Sequence, residues 1–327
     1  MTHIQRRGAQ LSSAVVIILA PQNDVHARTV GWEIEQRGGR AVILDTADFP
    51  TQWRLTLSAT PSPDFTLTLA DGHRIDGDNV TGLWWRRVSA HLIPDEVADH
   101  KHREFCRDEA RALLDGWAYA LGNRVMNPLA AELAARRKPY QLVMAARMKL
   151  DVPATCVTND PADAAAFDSE WPDGAIYKVL TGTSFQFTET RAMGDTERKT
   201  FDLLRLAPVI FQQRIGGGPD VRVTIVDGQV FAAELNPKHP EAQLDWRLDM
   251  TVEAQPHDLP GGIAERLSAF QRAMGLRYGA YDLRRDASGR YVFFEVNPGG
   301  QFLFVEIHAR HRISAAVAEA LLGGALL

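Results

Sequence analysis

With 327 residues, 45% hydrophobic and 24% charged, the chain has the composition of a soluble globular protein long enough for about two domains. A formal net charge of −5 gives no general attraction to nucleic acid, so basic residues that matter must act locally. Cys106 and Cys156 lie far apart without CxxC or Cys/His spacing, which excludes a disulfide framework and a cysteine zinc site; they read as small buried apolar residues in a reducing cytoplasm.

Arg6-Arg7 precede an apolar run, but the run from Ala14 to Ala20 is only strand-length and Pro21-Gln-Asn-Asp24 follows it without a small-x-small cleavage site. It reads as a first buried strand rather than a signal peptide. No segment approaches the ~20 apolar residues of a membrane-spanning helix. Helix His26–Arg37, with Val30, Ile34 and Arg37 on one face, and strand Ala41–Leu44 continue a βαβ layer. Arg54–Ser58, Phe65–Leu69 and Arg74–Ile75, separated by Pro61-Ser-Pro63 and Asp71-Gly72, read as an inserted meander. Strand Gly82–Arg87 ends on Trp84-Trp85-Arg86-Arg87, either two core aromatics with snorkelling arginines or a clamp for an anion or a peptide carboxylate. A helix over Asp95–Leu121 and a short strand Arg124–Asn127 close this region.

Helices Leu129–Arg136 and Pro139–Lys149 flank Lys138, and the strand Gly174–Lys178 ends on a second lysine. Two lysines around the loop Leu180–Ser184, which precedes a strand Phe185–Thr188, are either surface residues or a triphosphate cradle. Val209–Ile215, Asp220–Val226 and Gln229–Leu235 read as an antiparallel meander, joined by Gly216-Gly-Gly218 and Asp227-Gly228. Asp220 and Arg222 share one face, either as a buried salt-bridging pair or as contacts to a ribose and a phosphate. A polar loop Asn236–Glu241, the triplet Asp245-Trp246-Arg247 and a helix Leu259–Met274 follow.

Tyr278–Arg285 and Tyr291–Val296 form a hairpin around Asp286-Ala-Ser-Gly289. Glu295 and Asn297 share a face; a two-residue loop at Ala287-Ser288 places Asp282 there too, whereas a bulge at Gly289 spoils that register. Two carboxylates and an amide oxygen suit Mg²⁺ that takes further ligands from nucleotide phosphates, while solvent-facing acids on an edge hairpin are the plainer alternative. The tail Phe302–Leu327 closes in an Ala/Leu-rich helix.

Lys138, Tyr177-Lys178, Phe211-Gln-Gln-Arg-Ile215, Asp220-Val-Arg222, Asp245-Trp-Arg247, Tyr281-Asp-Leu-Arg284 and Phe294-Glu-Val-Asn-Pro-Gly-Gly-Gln301, taken together, resemble the ATP-grasp carboxylate–amine ligases. Trp85-Arg86-Arg87, Asp245-Trp246-Arg247 and the Asn-Pro-Gly-Gly-Gln ending narrow the resemblance to the ATP-grasp maturases of microviridin-type ribosomal peptides, the graspetides. The resemblance implies an α/β and α+β architecture: an N-terminal pre-ATP-grasp α/β domain (1–126), a central ATP-grasp subdomain or lid (127–208) and a C-terminal ATP-grasp subdomain (209–327). It implies ATP and Mg²⁺ as cofactors. Lys138 and Lys178 would bind the phosphates and the adenine edge, Gln212, Gln213, Arg214 and Ile215 the adenine largely by backbone, and Asp220 the ribose. Arg222 and Arg247 would meet the γ-phosphate and developing charge, Asp282, Glu295 and Asn297 would hold Mg²⁺, and Trp85, Arg86 and Arg87 the peptide.

The reaction so implied activates Asp or Glu side chains of a ribosomal precursor peptide, made of leader plus core, as acyl phosphates. It joins them to Thr/Ser hydroxyls or Lys amines as macrocyclic esters or amides. The expected enzyme is a cytoplasmic homodimer with no nucleic-acid or membrane partner. A ligase for free amino acids or a protein terminus shares every ATP residue but has less use for Trp85-Arg86-Arg87. A non-catalytic nucleotide- or peptide-binding scaffold has no need of a complete Mg²⁺ set.

Overall fold

A computed structural model describes residues 14–59, 64–171, 174–181, 190–237, 242, 244–249 and 251–323. The chain forms two compact units, divided at Leu129/Ala130 and again at Ile313/Ser314, so the last helix belongs to the first unit although the sequence reading placed it with 209–327. Among the described residues no helix is long and apolar enough to cross a membrane. The expected strand Phe185–Thr188 and most of the loop Asn236–Glu241 lie outside the described residues.

In the first unit β1 (Val15–Leu19), α1 (Val25–Gln36), β2 (Arg40–Leu44), β3 (Arg54–Ser58), β4 (Asp64–Thr68), β5 (Arg74–Asp76), β6 (Val80–Trp85), α2 (His100–Leu121) and β7 (Val125–Met126) follow in order. Four strands make a parallel sheet in the order β2-β1-β6-β7, and β3-β4-β5 form a separate antiparallel sheet, the inserted meander. β1 is apolar and buried throughout because a central parallel strand is covered on both faces. Asp24 caps α1 by accepting from Ala27 N at 2.8 Å. α2 begins five residues later than the sequence reading: Asp99 caps it through His102 N (3.0 Å), while Arg103 holds the preceding loop through the carbonyls of Ile93 (2.8 Å) and Pro94 (2.9 Å). Phe65 meets Trp117 edge-on at 5.3 Å in this core. Cys106 and Cys156 are free and half-buried, less enclosed than expected.

The second unit comprises α3 (Leu129–Ala135), α4 (Lys138–Arg147), β8 (Thr155–Thr158), α5 (Pro161–Ser169), β9 (Ala175–Lys178), β10 (Arg191–Ala192), α6 (Asp195–Arg198), β11 (Val209–Gln213), β12 (Asp220–Val226), β13 (Gln229–Asn236), β14 (Glu253–Pro256), α7 (Gly261–Ala273), β15 (Tyr278–Arg285), β16 (Tyr291–Asn297) and α8 (Leu303–Ala309). The closing helix, α9 (Ile313–Leu322), packs within the first unit, where Gly82 leaves room for the Leu321 carbonyl. α5, with Pro161 in its first turn and Asp160 as cap, was not read from the sequence.

Two antiparallel sheets result, β10-β9-β11-β8 and β14-β13-β12-β15-β16. The expected meander is therefore corrected: β11 does not pair with β12 but belongs to the other sheet. Gly216-Gly-Gly218 carry the chain between them against the β15–β16 hairpin tip, where a Cβ on Gly218 would lie 2.1 Å from the Arg285 carbonyl oxygen. Asp227-Gly228 form the expected tight turn, both with positive φ (42° and 89°). In the five-stranded sheet Val221, Val223 and Ile225 face the core with Tyr281, Leu283 and Phe293. The alternate residues of β12 carry the charges.

Candidate functional site

Between the two sheets of the second unit lies a cavity of about 360 Å³, within the range of small-molecule sites. Its acidic wall is the β15–β16 hairpin. Gly289, at φ +85°, lengthens the loop by one residue: Asp286 N donates to Arg290 O (2.8 Å) and Gly289 N to Asp286 O (2.9 Å). This bulge sets Leu283 opposite Phe293, a slip that alone would turn Asp282 away from Glu295. A second irregularity between Asp282 and Leu283 takes up Phe294 as an extra residue and restores the face. Asp282 stands directly opposite Glu295 and Ala280 opposite Asn297, closer than the expected diagonal arrangement.

Basic side chains converge on these acids. Arg222 lies opposite Asp282, and Asp220 opposite Arg284, in the β12–β15 ladder. Arg222 Nη1 donates to Asp282 Oδ1 at 2.8 Å and Nη2 to the Gln301 carbonyl at 3.1 Å. Arg284 clamps Asp220 with Nε at 2.9 Å and Nη2 at 2.8 Å. The Asp220–Arg222 pair weighed from the sequence does not form, because each residue bonds across the ladder. Lys138, first in α4, reaches Glu295 at 3.0 Å. Arg247 grips Asp245, with Nε 2.7 Å from Oδ1 and Nη2 2.5 Å from Oδ2. Gly300 is needed for space: a Cβ there would lie 2.5 Å from Ala280 Cβ and 2.8 Å from Arg222 Nη2.

Burial and these partners set the protonation landscape. Burial lowers Lys178, at the end of β9, to about 8 against the pull of Glu295. Burial also raises Asp220 to about 6 despite Arg284. Glu295, although half-buried, is held well below the usual carboxylate range by Lys138 and Lys178, whereas burial keeps Asp282 above it in spite of Arg222. The two facing acids thus differ in proton affinity, with Glu295 the stronger acid.

Residues 14–132 match the MvdD pre-ATP grasp domain family. Over 94% of this chain and 99% of the other, it is 29% identical to a macrocyclase, MdnC, from Microcystis aeruginosa MRC, solved with the precursor peptide MdnA, at a TM-score of 0.84. This chain has the ATP-grasp fold with an MvdD-type pre-ATP-grasp domain. The ATP-grasp ligase PsnB, solved with a minimal precursor, is 25% identical over 96% of this chain and 100% of that one, at a TM-score of 0.77. At the level of fold alone, a RiPP-associated ATP-grasp ligase from Chryseobacterium gregarium in complex with ADP and leader and core peptides gives a TM-score of 0.87 at 23% identity, covering 96% and 97%. No curated protein sequence matches the chain.

In this ATP-grasp unit Lys138, Lys178, Gln212, Gln213, Arg214, Ile215, Asp220, Arg247, Asp282, Glu295 and Asn297 all line the cavity. Arg222 does not; it sits behind Asp282, its guanidinium 5.8 Å from the Trp246 ring. Asp220 has both oxygens engaged by Arg284, so a ribose hydroxyl would share them. Along Gln212–Ile215, Ile215 O accepts from Arg284 Nη1 at 3.0 Å and Gln213 N donates to Ala154 O at 2.9 Å. Gln212 is fully buried and its amide orientation is determined: Thr155 gives its hydroxyl proton to Pro153 O (2.8 Å) and so accepts from Gln212 Nε2 (2.9 Å). Gln212 Oε1 is left as a buried acceptor without a hydrogen bond, which fits the exocyclic amine of adenine.

The donor set also fits Mg²⁺. Among the described residues no three or more of His, Cys, Asp and Glu group for a metal; two carboxylates and an amide suit an ion that keeps water and phosphate ligands. Asn297 is exposed and its Oδ1 accepts from Gly299 N at 3.0 Å.

The first unit holds Trp85, Arg86 and Arg87. Trp84 and Trp85 are core residues at the end of β6, and the arginines lie just beyond it. Arg86 does not snorkel: it is buried, 5.6 Å from the Trp84 ring, with Nε 3.7 Å from Asp24. Arg87 is 56% exposed, with Nη1 3.8 Å from Asp24. Burial, then Arg86, lowers the neighbouring His26 to about 4. β1 and β6 adjoin where the strand order reverses, the place where open parallel sheets receive ligands.

Sequence reasoning missed the roles of Arg284, of Phe294 and of Gln141, whose side-chain amide bonds both backbone groups of Val296. Arg284 was detectable, since Asp282 and Arg284 alternate on β15 as Asp220 and Arg222 do on β12. Gln141 and the Phe294 bulge leave no local signal.

Proposed function

We propose that this protein is an ATP-dependent ligase that activates Asp or Glu side chains of a ribosomal precursor peptide and joins them to Thr/Ser hydroxyls or Lys amines. The observation that carries the reading is one cavity lined both by Lys138, Lys178 and Arg247 and by Asp282, Glu295 and Asn297. A scaffold has no need of both sets, and nearly full-length likeness to macrocyclases favours a peptide over a free amino acid as substrate.

Lys138, Lys178 and Arg247 would hold the phosphates, Gln212 to Ile215 the adenine and Asp220 the ribose. Asp282, Glu295 and Asn297 would hold Mg²⁺, which supplies charge neutralisation at the transferred phosphate. Arg222, bonded to Asp282, orients that carboxylate. The peptide carboxylate takes the γ-phosphoryl group and ADP leaves; the hydroxyl or amine then attacks the acyl carbon and phosphate leaves, so each ring costs the peptide one water. The protein supplies position and positive charge and needs no nucleophile of its own. Of Trp85, Arg86 and Arg87, exposed Arg87 would meet the acidic peptide, with buried Trp85 and Arg86 supporting it from behind. We take the protein to act in the cytoplasm as a homodimer.

Intact mass spectrometry tests this: a candidate precursor peptide with repeated Thr and Glu/Asp is incubated with protein, ATP and Mg²⁺, beside an Asn297→Ala variant. Loss of one water per ring with wild type alone is expected. An unchanged peptide, with ATP hydrolysed only when free amino acids are added, would favour the small-substrate ligase; no ATP turnover would leave the scaffold.

A further inference from the structure

β16 is the outer strand of its sheet, so alternate residues turn their N–H and C=O away from β15. At Val296, between Glu295 and Asn297, a single side chain takes both groups. Gln141 Oε1 accepts from Val296 N at 2.9 Å, and Gln141 Nε2 donates to Val296 O at 2.9 Å. Its second amide hydrogen goes to the Ala135 carbonyl at the end of α3. The amide is fully used, its orientation is set by the Val296 N–H, and the residue is 3% exposed.

Three residues earlier on the same face of α4, Lys138 pairs with Glu295 at 3.0 Å. One helix therefore engages both the charge on β16 and the backbone between its two predicted ligands. Further along the edge, Phe293 N is met by a backbone carbonyl, that of Asp151, at 2.7 Å. Val296 is already anchored by its apolar side chain, which is 2% exposed in the core. The Gln141 amide adds something the packing does not: it fixes the peptide planes on either side of Val296, from which Glu295 and Asn297 depart.

We infer that Gln141 is a positioning residue for the Mg²⁺ ligands, holding Glu295 and Asn297 in register with Asp282. The inference rests on the Mg²⁺-nucleotide reading above and assigns Gln141 no contact with the reacting groups. Partners of metal ligands typically matter about 10–100-fold in metal affinity.

The test uses the full chain and Gln141→Met, of similar length and without the amide. Calorimetry gives the ADP dissociation constant in EDTA, and electron paramagnetic resonance gives Mn²⁺ affinity in the presence of ADP. The expected result is metal-free ADP binding within about twofold of wild type and Mn²⁺ binding weaker by about 10-fold or more. Gln141→Glu, which keeps an acceptor for Val296 N–H, is expected between the two and serves if Gln141→Met does not fold. Wild-type Mn²⁺ affinity in the folded variants, or equal weakening of ADP binding with and without metal, overturns the positioning role. Wild-type protein that binds neither ADP nor Mn²⁺ overturns both this inference and the proposed function; variants that match a wild type binding both overturn this inference alone.

Discussion

On the β12–β15–β16 face, acids and bases stand opposite one another in the ladder and meet at 2.8 to 2.9 Å, as in Arg222–Asp282 and Arg284–Asp220. Beyond β1 and β6, Arg86 and Arg87 approach Asp24 only to 3.7 and 3.8 Å. The difference follows from what positions the side chains. An antiparallel ladder brings opposite Cβ atoms within about 5.5 Å, so register alone delivers a hydrogen-bonded pair. Residues past the ends of parallel strands are placed by loops, and their charges share a carboxylate without gripping it. The ladder pairs are rigid parts of one site; the Asp24 group leaves Arg87 accessible for another ligand.

The largest effect should come from Arg284→Met, which strands a buried Asp220: chemical denaturation should show a loss of about 3–5 kcal/mol. A loss below about 1 kcal/mol would break the contrast between the clusters. Lys178→Met comes next and depends on pH. Folding lowers Lys178 from 10.5 to about 8, so between those values the unfolded chain binds the extra proton and wild-type stability rises with pH. The variant's advantage over wild type should be greatest below pH 8, up to about 3 kcal/mol, and shrink towards pH 10.5. Denaturation curves at pH 7.5 and pH 10 that differ by the same amount would contradict this.

Arg86→Met should cost less than Arg284→Met, about 1–3 kcal/mol, because its contact with Asp24 is longer and Arg87 still faces that carboxylate. Arg87→Ala should change stability by no more than about 0.5 kcal/mol. Weakened binding of an acidic peptide, with stability intact, would assign Arg87 to that ligand; unchanged binding would remove it.

Much of the fold was legible locally. β3, β12 and β15 run between the residues their alternation and turns predict, and Asp227-Gly228 makes the turn that pair favours. Alternation also put Asp220 with Arg222, and Glu295 with Asn297, on single faces. It could not say which strand lies opposite, so the bonds of Asp220 and Arg222 to β15 follow only from the ladder. The Val209–Ile215 stretch is a strand as far as Gln213, but nothing in its residues says which of two sheets it joins.

By itself the sequence determined most of the strand and helix pattern, the acid and base residue types, and the Asp227-Gly228 turn, because these depend on period and propensity close to the chain. Only the tertiary structure decided that two successive bulges, at Gly289 and Phe294, cancel to bring Asp282 opposite Glu295. It alone decided that Gln141, 155 residues away, holds the backbone between Glu295 and Asn297. Such contacts are chosen by the packing of whole elements, and the residues that make them carry no mark of their partners in the neighbouring sequence.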